Sequence, residues 1–80
     1  MTLYEFNMLP NKEKETVVFE QSEFLCVQTI DNEKHSLYAK DKFFIEAICY
    51  ADSLIVKEIN SFKSGYLIDK YSGYISSILY

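Results

Sequence analysis

His35, Cys26, Cys49, Glu46 and Glu58 are the residues whose types and surroundings could carry chemistry in this chain. A thiol nucleophile would need Cys26 or Cys49 to meet the single histidine across adjacent strands, in an accessible and electropositive setting. Both cysteines instead stand in apolar, strand-like runs, and the expectation is two reduced, buried and inert thiols. His35 follows the polar stretch Asp31-Asn32-Glu33-Lys34, where a solvated imidazole is expected. Glu46 and Glu58 are the carboxylates inside the strongest strand patterns, and a shared acid and base site would require them on one face. No Cys/His spacing suggests a metal. Gly65 and Gly73, the only glycines, match neither the dinucleotide nor the phosphate-loop pattern. No catalytic, cofactor-binding or metal-ligating residue is assigned, and the expectation is a protein that is not an enzyme.

The elements that position these residues centre on 42–62. Two strand-like runs, 43–50 and 54–62, flank Asp52-Ser53 and read as a hairpin. A three-residue loop would set Glu46 directly across from Glu58, and like charges opposite each other destabilise a sheet. A two- or four-residue loop pairs Tyr50 with Ile55, Ile48 with Lys57 and Glu46 with Ile59, leaving Glu46 and Glu58 on opposite faces. One face then holds Phe43, Ile45, Ala47, Cys49, Val56 and Phe62. The other holds Phe44, Ile48, Tyr50, Ile55 and Ile59, interrupted by Glu46 and Lys57. Both faces are mainly apolar, so each must be covered, and the second is the expected place for a partner.

Elsewhere the punctuation is local. Thr2-Leu3-Tyr4-Glu5 has capping-box spacing and predicts a short helix to about Met8. Pro10 ends it and opens a second helix to about Gln21, with a strand over 16–19 as the competitor because of Val17-Val18. Strands follow at 24–30 and 35–39, separated by turns at 31–34 and 40–42. Ser64-Gly65 precedes a terminal helix with the stripe Leu67, Tyr71, Tyr74, Ile75 and Ile78. The predicted class is α+β, one small domain over residues 1–80: amino-terminal helices, a four-stranded antiparallel meander and a carboxy-terminal helix.

Twelve acids against eight lysines leave a net charge of −4, with no basic stripe and no Arg forks, which argues against direct nucleic-acid binding. The ordinary reading of that charge is solubility; as a functional feature it would meet a basic protein surface. Seven Tyr and six Phe suit surfaces that are wet in one state and covered in another. No apolar run approaches the ~20 residues a membrane helix needs, no leader pattern opens the chain, and the expected location is the cytoplasm.

Thr2-Leu3-x-Glu5-Phe6-Asn7, Leu37-Tyr38, Asp41-x-Phe43-Phe44-x-Glu46 and Ser61-Phe62-Lys63 together resemble a loose set of small, uncharacterised bacterial proteins of about this length. In size and acidity the chain is also similar to anti-CRISPR-type inhibitors, which commonly act by occupying a nuclease or its guide-binding surface. That resemblance implies a mobile-element-encoded inhibitor. The functional expectation is thus a non-catalytic protein-binding module using Phe44, Tyr50, Lys57 and Ile59, with Tyr38 added. Its rivals are a self-associating homodimer and a small-molecule binder lined by Tyr66, Tyr71 and Tyr74. If the sheet is covered, the acidic group Glu13, Glu15, Glu20 and Glu23 is the next surface to consider.

Overall fold

A computed structural model describes residues 1–53 and 55–74. Helix α1 spans Leu3–Asn7 and α2 spans Asn11–Gln21; strands β1 (Glu23–Ile30), β2 (Glu33–Lys40), β3 (Phe43–Tyr50) and β4 (Val56–Phe62) follow, then α3 (Tyr66–Lys70). The strands form one antiparallel sheet in the order β1-β2-β3-β4, so the expected α+β meander is what the chain adopts. Among the described residues, no helix is long and apolar enough to cross a membrane.

Helix α1 is set by its capping box: the Thr2 amide donates to Glu5 Oε1 at 2.7 Å and the Glu5 amide donates to Thr2 Oγ1 at 3.1 Å. Pro10 stands at the N-cap of α2 with an extended backbone. The strand alternative over 16–19 loses because Val17 and Val18 both bury against the sheet as neighbours on a helix, and burial outweighs the weak propensity of β-branched residues. The turns are tighter than expected. Only Asp31-Asn32 and Asp41-Lys42 lie outside the strands, with φ of 56° at Asp31 and 52° at Asp41, a left-handed region that Asp tolerates. Glu33, Lys34 and Lys40 consequently belong to β2.

The β3–β4 register agrees with expectation only beside the turn. The Tyr50 amide donates to the Ile55 carbonyl at 3.3 Å, and Cys49 faces Val56. A bulge then intervenes between Ile48 and Cys49, after which Ile48 faces Glu58, Ala47 faces Ile59, Glu46 faces Asn60 and Phe44 faces Phe62. The extra residue on β4 flips everything beyond it. Ile59 therefore joins the Ala47 face, Phe62 joins the Phe44 face, and Glu58 shares the face of Glu46 rather than opposing it. Direct Glu46–Glu58 opposition is already avoided by the even-length loop, and the bulge moves Glu46 one residue further, onto Asn60. Leu54, expected to begin β4, lies outside the described residues.

Each face packs its own cluster. Helices α1 and α2 cover one face with Phe6, Val17 and Val18 on Phe43, Ile45 and Ala47, and the Phe6 and Phe43 rings lie 5.7 Å apart. Gly65, with φ of 96°, lets the chain turn back after β4. Helix α3 then lays Leu67 and the following Tyr71 over Leu37 and Phe62. The second face is thus roofed at its centre by α3. Ile75 and Ile78 of the predicted stripe lie outside the described residues.

Candidate functional site

The five residues expected to form one binding face are separated. Tyr38 pairs with Ile45 and Ile59 with Ala47, which places both on the face of α1 and α2, where they pack on the Phe6 cluster. Phe44, Tyr50 and Lys57 stay on the α3 side. Phe44 is half-buried and stacked on Phe62 at 5.6 Å, while Tyr50 is exposed with the Lys57 ammonium 6.0 Å above its ring. The β4 bulge is the reason Ile59 changes face, whereas Tyr38 is placed by its regular pairing with Ile45. Nor do Tyr66, Tyr71 and Tyr74 converge on a pocket: Tyr66 is exposed, Tyr71 is buried on Glu46, and the Tyr74 hydroxyl donates to the Leu25 carbonyl.

Beneath α3 lies a cluster that the sequence left unassigned. Glu46 sits mid-β3 and is 1% exposed, so its charge is buried. Its Oε2 accepts from Lys70 Nζ at 2.6 Å and from the Tyr71 hydroxyl at 2.7 Å, and its Oε1 accepts from Asn60 Nδ2 at 3.2 Å. Burial pushes the carboxyl up, but these three donors outweigh it and hold Glu46 below its ordinary value. Burial and the neighbouring carboxylate drive the Tyr71 phenol strongly upward, so it stays a donor.

His35 is buried in β2, not solvated at a turn, because the tight Asp31-Asn32 turn carries β2 two residues further back. Its Nδ1 lies 2.7 Å from Lys70 Nζ and its Nε2 lies 3.2 Å from Glu33 Oε1. An ammonium can only donate, so this pattern corresponds to the tautomer with hydrogen on Nε2. Glu33 also receives the Lys57 ammonium, which with His35 holds its carboxyl below the ordinary value. The line runs Lys57, Glu33, His35, Lys70, Glu46, with Tyr71 and Asn60 closing it, and its two carboxylates balance its two ammonium groups.

A carboxylate, an imidazole and an amine in line have the outline of a nucleophile relay. The amine is engaged differently here. Lys70 Nζ is committed to Glu46 Oε2 at 2.6 Å and to His35 Nδ1 at 2.7 Å, so it is held within the cluster rather than presented to a substrate. Every buried side-chain nitrogen and oxygen among the described residues has a partner. What this arrangement does is clasp: residues from β2, β3, β4 and α3 meet at one carboxylate, fixing the terminal helix on the sheet.

The thiols are half-buried and free, and burial pushes both upward, Cys49 with help from Glu15. Cys26 faces Leu37 on the α3 side and Cys49 stands beside Ala47's face, so the sheet separates them, and both ring nitrogens of His35 are engaged elsewhere. Among the described residues, no group of three or more His, Cys, Asp or Glu could hold a metal.

The remaining unusual surface is β1. It is an end strand, and none of its eight residues is fully buried. On the side of α1 and α2, Phe24 pairs with Tyr38 and Val27 with Ser36, and α2 stops short of covering them. Phe24 is 50%, Val27 49% and Phe19 47% exposed. The Phe19 and Phe24 rings both meet Tyr38 edge-on, at 5.8 and 5.6 Å, so three aromatic rings line one side of the strand. Burial raises the Tyr38 phenol. An open groove continues from them along Ser36, Lys34, Cys49 and Asp52. Glu20 and Glu23 are exposed at the β1 end of this surface, Glu13 is exposed farther back on α2, and Glu15 is half-buried.

No protein-family model, curated protein or solved structure matches the chain. Two signals in the sequence point to the Glu46–Lys70 pair and to Phe19 and Phe24. Glu46 is a carboxylate in the middle of the most apolar run, which requires a buried cation nearby, and Lys70 is the last charged residue before an uncharged end. Phe19 and Phe24 bracket the junction of α2 and β1, and an 11-residue helix is too short to roof a strand that starts where it ends.

Proposed function

We propose that this protein is a non-catalytic protein-binding module whose docking surface is the uncovered aromatic side of β1: Phe19, Phe24, Val27 and Tyr38. The observation that carries the reading is a pair of about half-exposed rings, Phe19 of α2 and Phe24 of β1, each packed edge-on against Tyr38 of β2, beside a strand with no partner at its outer edge among the described residues. Contiguous exposed apolar area on a small folded chain marks an interaction surface, whereas isolated exposed residues do not. Of the five residues expected from sequence, Tyr38 remains in this surface. An inhibitor that occupies a basic protein surface, such as that of a nuclease, is the specific form that the net charge of −4 favours.

The test compares proteins captured from a bacterial lysate by the wild type, by a Phe24→Ser/Val27→Ser variant and by a Tyr66→Ser variant, whose tyrosine is 75% exposed on α3. A captured protein that is lost with the β1 variant and kept with the α3 variant supports the reading. Capture unaffected by the β1 variant contradicts it. So does a wild-type mass in solution near twice 9.4 kDa that the β1 variant halves, because the surface would then serve self-association.

A further inference from the structure

We infer that β1 receives an extended strand from its partner, and that this strand carries apolar residues in alternation with lysine or arginine at both ends. The inference rests on the reading of β1 as a docking surface and adds the chemistry of what docks. Strand β1 is bonded along its inner side to β2, and along its outer side no strand pairs with it among the described residues. A bulge between Phe24 and Cys26 interrupts the ladder, and there the Tyr74 hydroxyl donates to the Leu25 carbonyl. Residues 26–30 beyond that point form the regular stretch on which another backbone can add.

Edge strands are usually guarded by lysine, proline or an inward charge. Strand β1 has none of these between its bulge and its end; Cys26-Val27-Gln28-Thr29-Ile30 carries no charge. The flanks do. From residue 16 to 33 the chain has four carboxylates, Glu20, Glu23, Asp31 and Glu33, and no lysine or arginine. Glu33 is engaged by Lys57 and His35, but Glu20, Glu23 and Asp31 are exposed at the two ends of the strand. The closest bases sit one strand inward: Lys34 opposite Thr29, and Lys40, which donates to the Gln21 carbonyl.

This pattern selects among occupants. A second copy added antiparallel about the centre of β1 would bring Glu23 beside Asp31 of the other copy at both ends. A parallel addition would set Glu23 against its own counterpart. Either way like charges meet, which destabilises the pair. A foreign strand with cations at its ends meets those carboxylates favourably in either direction. Its alternate side chains then fall beside Val27 and Phe24 and extend the ring cluster of Phe19 and Tyr38, while main-chain hydrogen bonds supply the rest.

The direct test titrates isotope-labelled protein with two short synthetic peptides alternating Val and Thr, one with Lys at both ends and one with Glu, following amide shifts and amide hydrogen exchange. The expected result is slowed exchange at amides within 26–30 with the Lys-ended peptide, and binding weaker by about tenfold with the Glu-ended one, the size expected when two exposed ion pairs become two repulsions. A Glu23→Gln/Asp31→Asn variant should erase that preference while still binding; Asn at position 31 keeps the turn, since it tolerates the same φ. Equal binding of both peptides overturns the charge argument, and no binding of either overturns strand addition. Shifts at Phe24 and Val27 without slowed exchange in 26–30 would also overturn strand addition. In each of these cases, continued loss of lysate capture by Phe24→Ser/Val27→Ser would leave the docking surface itself standing.

Discussion

The two edge strands of this sheet are treated in opposite ways. Strand β4 is tied to the rest of the chain by its polar groups: Asn60 donates to Glu46, Lys57 to Glu33, and the Ser61 hydroxyl to Asn7 on α1. It also carries a bulge and two exposed charges, Lys57 and Glu58, near its start. Strand β1 has its ladder with β2, the Leu25 carbonyl and the packing of Leu25 and Cys26 on the Leu37 cluster, and its exposed side chains are mainly apolar. An edge that is bulged, charged and tethered is closed to other backbones; an edge that is apolar beyond its bulge is open to them. The difference separates residues that hold the fold from residues available for contact.

The strongest way to break the closed side is at its hub. Glu46→Ala should destabilise the protein by about 3–5 kcal/mol, because it strands Lys70 and leaves Tyr71 and Asn60 without their acceptor. Urea unfolding followed by circular dichroism measures it. A loss below about 1 kcal/mol would mean that the cluster does not anchor α3 or β4.

The open side should behave inversely. Phe24→Ser should weaken binding to a captured partner by about 2 kcal/mol or more while changing stability by less than about 1 kcal/mol. If stability falls as far as in a core variant, Phe24 belongs to the fold and the two edges are alike.

Acid should distinguish the sides without mutation. Glu46 is held below its ordinary value of 4.5, so its contribution to stability is full above that value and is lost as pH falls through the lower folded value. Stability should therefore decline below about pH 4.5, and Glu46→Gln should flatten that decline. A decline just as steep in the variant would assign it to other carboxyls.

Smaller effects refine the picture. Asn60→Ala should cost about 1 kcal/mol, the worth of one hydrogen bond to a charged group less what Lys70 and Tyr71 retain. Lys57→Ala, at an exposed ion pair with Glu33, should leave the urea midpoint unchanged within error, because solvent screens that pair.

Much of the fold was legible because its signals are local. The Thr2–Glu5 capping box, the Pro10 break, the aspartates at the turns and the Gly65 stop each act within a few residues and fall where expected. The face assignment failed beyond Val56 because the β4 bulge is a tertiary feature: one extra residue swaps Ile59 and Phe62 between faces, and no local pattern announces it. His35, expected in a strand but solvated, is buried because the Asp31-Asn32 turn closes two residues earlier and Lys70 of α3 folds onto it. The Glu46 clasp joins residues from four elements and emerges only once Lys70 is folded back over β3. The open edge depends on where α2 stops relative to β1, a matter of packing that periodicity does not contain.

The central claim, that β1 is where this protein meets its partner, is tested most directly by mapping amide chemical shifts of the isotope-labelled protein on addition of a captured partner. The account predicts the largest changes at Phe19, Phe24, Val27, Tyr38 and residues 26–30, with β4 and α1 nearly unchanged. Changes concentrated on β4, on α1 or on the exposed face of α3, with β1 silent, would contradict it.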